Sequence, residues 1–232
     1  MNVLGLRKLP NGDGGYGSCY ILDNNTLYKK FHKMDDGTYP FEADYFDKFI
    51  GVKSDSFVFP KDITVDGDYA IGYTMDYIHA DTLEVMDFDF SINDFIVALD
   101  RLKEGIYKVT NSGIVICDVN AKNMLYDGEF HVIDTDLYMT TDECDFDPYD
   151  VNEDYVASYL YSYITEEKCS YEMGMIRKYN YELDKLDREM RKGADMESLK
   201  HYLYELQNSV EELSERRIDT FNDLYKVMKR IK

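Results

Sequence analysis

Hydrophobic and polar residues alternate in short runs over the first third of the chain. Residues 18–22 and 26–31 are two such runs, and residues 23–25, Asp-Asn-Asn, form a typical turn between them. Residues 57–63 and 69–77 show the same pattern and are also predicted to be strands. The pattern therefore predicts a small antiparallel sheet at the start of the chain.

One helix is predicted within this sheet, at residues 40–50. Phe46 and Ile50 lie four residues apart there, and Gly51 is a suitable residue for the end of a helix. A sheet of this size with one helix is only marginally stable on its own. We therefore expect it to pack against the rest of the chain.

The hydrophobic pattern becomes helical after residue 77. Ser91 is a favourable N-cap for a helix at residues 92–110, in which apolar residues recur at helical spacing. Two short strands are predicted next, at residues 113–117 and 130–133. This part of the chain is thus expected to be a long helix followed by two short strands.

The last third of the chain is predicted to be helical. A helix is expected near residues 149–164, and two apolar stripes with steps of three and four follow at residues 176–190 and 196–213. These stripes predict a helical hairpin. They fit a core within the chain better than a coiled-coil surface for a partner, although both interpretations stay open.

Acidic residues dominate the charge. The 232 residues include 26 Lys and Arg but 46 Asp and Glu, which gives a formal net charge of −20. Nucleic-acid binding requires a basic surface, so no nucleic-acid partner is expected. A hydrophobic content of 44% argues against a disordered chain.

No membrane segment or export signal is predicted. No apolar run approaches the roughly 20 residues that a membrane span needs, and the N-terminal residues lack the apolar part of a signal peptide. We therefore expect no membrane partner and a cytoplasmic protein, or one delivered to a host cytosol. The four cysteines form no C-x-x-C pair, which favours reduced thiols over a zinc site or disulfides.

The acidic residues are concentrated at residues 134–154, which contain nine carboxylates and no Lys or Arg. Such a run is most often a solvated loop. The alternative is that some of these carboxylates bind a cation or a basic partner. Composition alone leaves both interpretations open.

Gly12, Gly14 and Gly17 form a G-x-G-x-x-G motif near the N-terminus. A dinucleotide-binding fold requires a helix directly after the glycines, but here a strand is predicted instead. A strand, a glycine loop containing Tyr16 and a second strand form a flap whose backbone amides can approach phosphate oxygens. The motif alone is weak evidence, because any glycine-rich hairpin tip has this composition.

Lys29 is the candidate cation beneath that flap. Leu27, Lys29 and Phe31 share one face of their predicted strand, because side chains alternate with a period of two. Lys30 faces the other way and replaces Lys29 if the register differs. A buried lysine requires a carboxylate, and Glu42 is the only Glu in the predicted helix that follows.

The segment from Asp118 to Asp134 contains the strongest motif. Asp118 and Asn123 form a D-x4-N pattern, and Asp134 follows the next apolar strand. An Asp at the end of a buried strand is costly unless it is paired or binds a metal ion. Asn and Asp provide the oxygen ligands that Mg²⁺ prefers, and a loop Asp can accept a hydroxyl proton.

Taken in chain order, these motifs resemble those of the protein-kinase-like superfamily over nearly the whole chain. The resemblance implies a two-lobed α+β fold. Residues 1–77 are then the N-lobe, a small antiparallel sheet with one helix, and residues 78–232 are a mainly helical C-lobe. Residues 72–78 look like the last strand of the N-lobe and the hinge.

The resemblance also implies a role for each candidate residue. Asp118 is then the catalytic base, Asn123 and Asp134 hold Mg²⁺, and Lys29 contacts the α- and β-phosphates of ATP with Glu42 as its partner. Met75 takes the gatekeeper position, and the backbone groups of Asp76 and Ile78 face adenine. The residues expected around the nucleotide are Gly12, Gly14, Tyr16, Gly17, Leu27, Lys29, Met75, Asp76 and Ile78.

The chain departs from the family pattern around the catalytic loop. Cys117 stands at the position of the catalytic-loop arginine, and Asn120 at the position of the following lysine. Residues 134–136 read Asp-Thr-Asp instead of D-F-G, and no A-P-E motif follows. Asp150 is the candidate for the helix residue that braces the catalytic loop. The pattern therefore resembles a minimal, divergent kinase of bacterial or viral type without phosphorylation-controlled activation.

These features favour an ATP- and Mg²⁺-dependent kinase acting on Ser or Thr of a protein, and the acidic run predicts a substrate with a basic surface. A more distant resemblance to aminoglycoside phosphotransferases leaves a small-molecule acceptor as an alternative. A pseudokinase-like binding module and the transfer of another group, such as AMP, are further alternatives. Asp136 adds a carboxylate that is a candidate metal ligand.

Overall fold

A computed structural model describes residues 3–167, 173, 176–177 and 180–230. Its N-terminal part is one antiparallel sheet. The strands of this sheet are β1 Arg7–Asp13, β2 Gly17–Ile21, β3 Thr26–Phe31, β4 Phe41–Glu42, β5 Ile63–Asp66 and β6 Tyr69–Asp76. They are arranged in the order β1-β2-β3-β6-β4, with β5 also paired to β6.

The predicted hairpin of the sheet is confirmed as β2 and β3. The two strands pair antiparallel, with Cys19 opposite Lys29. Leu27, Lys29 and Phe31 alternate along β3 and are all buried, and the Phe31 ring packs on Phe41 with 4.9 Å between centroids. The alternation thus turns Lys29 towards the interior of the molecule.

The predicted α-helix at residues 40–50 is wrong. The segment forms strand β4 followed by a 3₁₀-helix at Tyr45–Phe49. Phe46 and Phe49 lie three residues apart and are buried, whereas Ile50 is 79% exposed. Because side chains three residues apart lie above one another in a 3₁₀-helix, this tighter turn buries both phenylalanines.

The predicted strand at residues 57–63 is wrong over most of its length. Phe57 makes a single parallel bridge to Val132, and the Val58 amide donates to the Val132 carbonyl at 2.9 Å. Regular pairing begins only in β5. The extended segment instead links the sheet to the strand that precedes Asp134.

The C-terminal part of the described chain is mainly helical. Its α-helices are α1 Ile92–Asn111, α2 Pro148–Ser162, α3 Tyr181–Met190, α4 Met196–Ser214 and α5 Phe221–Met228. Short strands are β7 Asp81–Thr82, β8 Ile114–Val115, β9 Met124–Tyr126, β10 Phe130–Val132 and β11 Met139–Thr140. β9 pairs with β7 and β10, and β11 pairs with β8. No helix in the described ranges has the length and apolar character needed to cross a membrane.

The long predicted helix is confirmed as α1. The Ser91 hydroxyl accepts a hydrogen bond from the Asp94 amide at 3.2 Å and so caps the first turn. α1 packs against α2 and α4 at the centre of the helical part. α3 and α4 form the predicted hairpin. Residues 178–179 of its first apolar stripe, and residues 174–175 just before that stripe, lie outside the described residues.

Candidate active site

Lys29 from β3 lies between two carboxylates of the segment that follows β10. Its Nζ donates to Asp134 at short range and to the two oxygens of Asp136 at 3.0 and 2.9 Å. The side chain of Lys29 is 7% exposed. The structure therefore brings Lys29, rather than Lys30, to the predicted aspartate.

The predicted pair between Lys29 and Glu42 is wrong. Glu42 is exposed in the short strand β4, opposite Tyr69, and makes no ion pair with any residue that the structure describes. The strand and the 3₁₀-helix replace the predicted helix, so no helix face carries Glu42 towards β3. Asp136 occupies the position beside Lys29 that the sequence interpretation gave to Glu42.

Burial and charge act in opposite directions on the three groups. Burial raises the pKa of Asp136 to about 6; Lys29 acts against this rise and Asp134 adds to it. Burial also raises the pKa of Asp134, but Lys29 and hydrogen bonds outweigh it and hold that pKa below its usual value. Burial lowers the pKa of Lys29, yet the two carboxylates raise it more, so the ammonium stays charged.

The predicted D-x4-N motif forms a compact hydrogen-bonded loop. The Asn123 Nδ2 donates to the Asp118 carbonyl at 3.0 Å and to its Oδ2 at 3.1 Å. The Asn120 Nδ2 donates to the Asp118 Oδ1 at 3.1 Å. Each oxygen of the exposed Asp118 carboxylate is therefore oriented by one side-chain amide.

A backbone hydrogen bond joins this loop to the second aspartate. The Ile133 amide donates to the Asn123 carbonyl at 2.8 Å, so Asp134 follows immediately after a residue held by Asn123. Through Lys29, Asp134 is then connected to β3. The motifs that the sequence interpretation placed together are thus joined by direct contacts.

The backbone is strained at the two candidate aspartates. Asp118 and Asp134 have φ of 52° and 61°, and they are two of the three non-glycine residues with positive φ in the described ranges. The third, Glu215, ends α4, where this conformation is common. Left-handed backbone costs about 1–2 kcal/mol for most residues, and such strain concentrates at functional sites.

Asn152 braces the loop from below, a role that the sequence interpretation assigned to Asp150. The fully buried Asn152 side chain accepts from the Ile116 amide at 2.8 Å and donates to the Ile114 carbonyl at 2.8 Å and to Thr110 at 3.0 Å. Asp150 lies two residues earlier in α2 and is exposed. The sequence feature that could have identified Asn152 is a polar residue on the helix face that is otherwise apolar and buried.

The glycine loop closes tightly at its two ends. The Gly14 amide donates to the Gly17 carbonyl at 2.8 Å. A Cβ on Gly17 would lie 2.6 Å from the Lys30 carbonyl oxygen, and one on Gly12 would lie 2.9 Å from the Leu9 Cβ. Tyr16 at the loop tip is 39% exposed. The close approach of β2 to β3 therefore requires glycine at position 17.

The predicted hinge follows directly from β6. Met75 is buried and lies opposite Leu27, which is on the same strand as Lys29. Asp76 is exposed and pairs with Lys61 at 2.6 Å, and Ile78 is half-buried. Met75 and Leu27 thus place apolar residues beside each other on adjacent strands.

Few side chains at the site are able to hold a metal ion. No group of three or more His, Cys, Asp and Glu suited to metal binding occurs among the residues that the structure describes. The amide oxygen of Asn123 accepts no hydrogen bond from a described residue, and the Asp134 side chain is 38% exposed. One amide oxygen and one carboxylate fit Mg²⁺, which keeps several water ligands.

Many carboxylates of the acidic run are used within the chain. Glu143 pairs with Lys48 at 2.8 Å, and Asp147 caps α2 through the Tyr149 amide. The Asp154 Oδ1 accepts from the Ala194 amide at 2.5 Å. Three exposed members have no side-chain bond with any described residue: Asp142, Asp145 and Asp150.

Solved structures similar to that of this chain include the following two. The structure is similar to that of PK-1, a kinase of Cydia pomonella granulovirus, with 18% identity and a TM-score of 0.46 over 58% of this chain and 54% of that one. It is also similar to a chain of the CAK complex of Chaetomium thermophilum bound to ATP-γ-S, with 16% identity and a TM-score of 0.44 over 58% of this chain and 47% of that one. The chain thus matches about half the length of these proteins.

No protein-family model and no curated protein matches the chain. Its own architecture is an antiparallel sheet that carries Lys29, followed by a mainly helical part that carries Asp118, Asn123 and Asp134.

Proposed function

We propose that the chain is a phosphotransferase that uses ATP and Mg²⁺ and transfers the γ-phosphoryl group to a Ser or Thr hydroxyl of a protein. One arrangement supports this proposal above the others. Lys29 contacts Asp134, and Asn123 is bonded both to Asp118 and to the residue before Asp134. A cation, two oxygen ligands and an exposed carboxylate are thereby held in one cluster.

Asp118 accepts the proton in the proposed reaction. The acceptor hydroxyl oxygen forms a bond to the γ-phosphorus, the bond from that phosphorus to the bridging oxygen breaks, and ADP leaves with the electron pair. The hydroxyl proton passes to the Asp118 carboxylate. Because Asn120 and Asn123 hold one carboxylate oxygen each, Asp118 is already oriented before the acceptor arrives.

Lys29 and the glycine loop bind the phosphates in this proposal. Lys29 lies on β3 directly opposite Cys19 of β2, which follows the loop at Gly14–Gly17. Asn123 and Asp134 would hold Mg²⁺, which supplies positive charge to the phosphate oxygens when bound. Met75 and Leu27 provide apolar contacts for the base.

The acceptor is proposed to be a protein with a basic surface. Asp142, Asp145 and Asp150 are exposed in the segment after Asp134 and make no side-chain bond with a described residue. Three carboxylates without internal partners attract Lys and Arg of an acceptor. This charge pattern favours a protein acceptor over a small molecule.

The test is phosphoryl transfer by the purified chain. We expect wild-type protein with ATP and Mg²⁺ to phosphorylate itself or a basic protein, detected by mass spectrometry as the addition of phosphoryl groups. Asp118→Asn is expected to lower kcat about 10²–10⁴-fold, the usual contribution of a positioned proton acceptor. Because asparagine tolerates positive φ, the backbone of the loop should be preserved.

Asp66→Asn is the matched control, since Asp66 is exposed at the end of β5 and its side chain bonds to no described residue. Unchanged turnover in Asp118→Asn contradicts the proposal. Binding of ATP without any transfer would favour a pseudokinase-like module, and addition of AMP would identify a different transfer. Phosphorylation of an added sugar alcohol but of no protein would identify a small-molecule kinase.

A further inference from the structure

Lys29 faces two carboxylates that differ in their exposure to solvent. The Asp134 side chain is 38% exposed, whereas that of Asp136 is 1% exposed. A ligand arriving from solvent can therefore reach the Asp134 carboxylate. It reaches Asp136 only by displacing Lys29 and the residues around it.

Asp136 is held by residues from the N-terminal part of the chain. The Tyr73 hydroxyl of β6 donates to its Oδ1 at 3.2 Å, and the Tyr45 hydroxyl donates to its backbone carbonyl at 3.0 Å. Its neighbour Thr135 donates from its hydroxyl to the Val58 carbonyl at 2.9 Å. Both oxygens of Asp136 lie within hydrogen-bond distance of the Lys29 ammonium, so the position of Asp136 fixes that of Lys29.

We propose that Asp136 is the positioning residue of Lys29 and not a metal ligand. Building on the proposed function, Asp134 turns to Mg²⁺ and phosphate when the nucleotide binds, while Asp136 keeps the ammonium in place. A buried ammonium needs such a partner throughout, because an unpaired buried charge is strongly destabilising. Asp136 thereby does what the sequence interpretation expected of Glu42.

The two aspartates are coupled by their place in the chain. Asp134 and Asp136 flank Thr135 at the start of a single 3₁₀ turn, Thr135–Leu137. The metal ligand and the partner of the lysine are therefore positioned together by one short segment. No separate helix has to approach β3 to complete the ion pair.

A double-mutant cycle on the free protein tests the pairing without relying on activity. Lys29→Met leaves Asp136 buried without its cation, so we expect a lower urea midpoint for unfolding. Adding Asp136→Asn should restore most of that midpoint, whereas adding Asp134→Asn to Lys29→Met should restore much less, because Asp134 is partly solvated. Equal restoration by both substitutions, or none by Asp136→Asn, overturns the proposal.

Kinetics separate a positioning role from metal binding. Asp136→Asn should raise the KM for ATP and lower kcat as much as Lys29→Met does, and the double variant should be no worse than either single one. The Mg²⁺ concentration for half-maximal activity should stay unchanged, and Asp136→Glu should recover part of the loss. A higher Mg²⁺ requirement in Asp136→Asn identifies a metal ligand and overturns the proposal.

Two further variants keep the test informative. Tyr73→Phe serves if Asp136→Asn fails to fold, because it removes only the hydroxyl that donates to Asp136. It should raise the KM for ATP, but less than Asp136→Asn does. Glu42→Gln should change neither KM nor kcat. If wild-type protein transfers no phosphoryl group but the unfolding cycle shows the expected coupling, the proposed function fails while the pairing of Lys29 with Asp136 stands.

Discussion

The two halves of the candidate site are built in opposite ways. On one side Lys29 and Asp136 are buried, and each satisfies the charge of the other. On the other side Asp118 is exposed, oriented by amides but paired with no cation among the described residues. The two sides therefore differ in what they can do: the buried pair holds the Lys29 ammonium in place, and the exposed Asp118 carboxylate is available to react.

The exposed half depends on a buried support, and removing that support should have the largest effect on stability. Asn152→Ala leaves the Ile116 amide and the Ile114 carbonyl without their partner. Each unsatisfied buried group costs about 1–3 kcal/mol, so we expect a loss of about 2–6 kcal/mol in the free energy of unfolding. Urea unfolding measures this loss, and kcat should fall with it.

Asp150→Asn is the control for this support, because Asp150 lies in the same helix but is exposed. Its unfolding free energy should stay within about 0.5 kcal/mol of the wild type. A stable Asn152→Ala variant with normal activity would show that the exposed loop holds its shape without Asn152.

The buried half depends on the close approach of β2 and β3, and Gly17→Ala should disturb it moderately. The added Cβ would lie 2.6 Å from the Lys30 carbonyl oxygen and 3.4 Å from the Lys29 Cγ. We expect a loss of about 1–3 kcal/mol in stability, as in other overpacked sites, together with weaker ATP binding. Thermal unfolding with and without nucleotide measures both effects.

Gly15→Ala provides the matched comparison, since a Cβ there meets no atom within 4 Å. It should leave the stability of the free protein nearly unchanged. Equal destabilisation by the two substitutions would mean that loop flexibility, and not the contact between β2 and Lys30, determines the effect of Gly17→Ala.

A third region, the unpaired part of the acidic run, should give the smallest effect. Replacing Asp142, Asp145 and Asp150 together by asparagine should raise the KM for a basic protein substrate about 10-fold or less, because exposed charges contribute little individually. The effect should shrink at high salt. ATP binding should not change, which calorimetry with ATP and Mg²⁺ can verify.

The control changes the net charge by the same amount at other positions. It combines Asp35→Asn, Asp66→Asn and Asp89→Asn, and all three residues are exposed. If this variant raises the substrate KM equally, the overall charge of −20, and not the acidic run, attracts the acceptor. If the first variant weakens ATP binding as much as substrate binding, the run is structural.

Local patterns predicted candidate residues in both halves of the site. The alternation of Leu27, Lys29 and Phe31 was enough to turn Lys29 inwards, because side-chain direction in a strand follows from its period. The Ser91 cap and apolar spacing were enough for α1. Asp118 and Asn123 were recognisable because both belong to one short loop motif.

The partners of these residues were not predictable in the same way. Asp136 lies 107 residues from Lys29, and no local pattern indicates an ion pair over that separation. Glu42 was chosen because a helix was expected, but three-residue spacing of Phe46 and Phe49 produced a 3₁₀ turn instead. Asn152 was missed because acidic character favoured Asp150, whereas burial among apolar neighbours is a tertiary property.

Magnesium-dependent nucleotide binding tests the proposed phosphotransferase site most directly. Calorimetric titration of ATP into the wild-type protein should show tighter binding with Mg²⁺ than without it, and Asp134→Asn should lose that gain while retaining weak binding through Lys29 and the glycine loop. Asp66→Asn should behave as the wild type does. Absence of ATP binding by the wild type, or an undiminished gain from Mg²⁺ in Asp134→Asn, would contradict the proposal that Asp134 holds the metal ion in an ATP site.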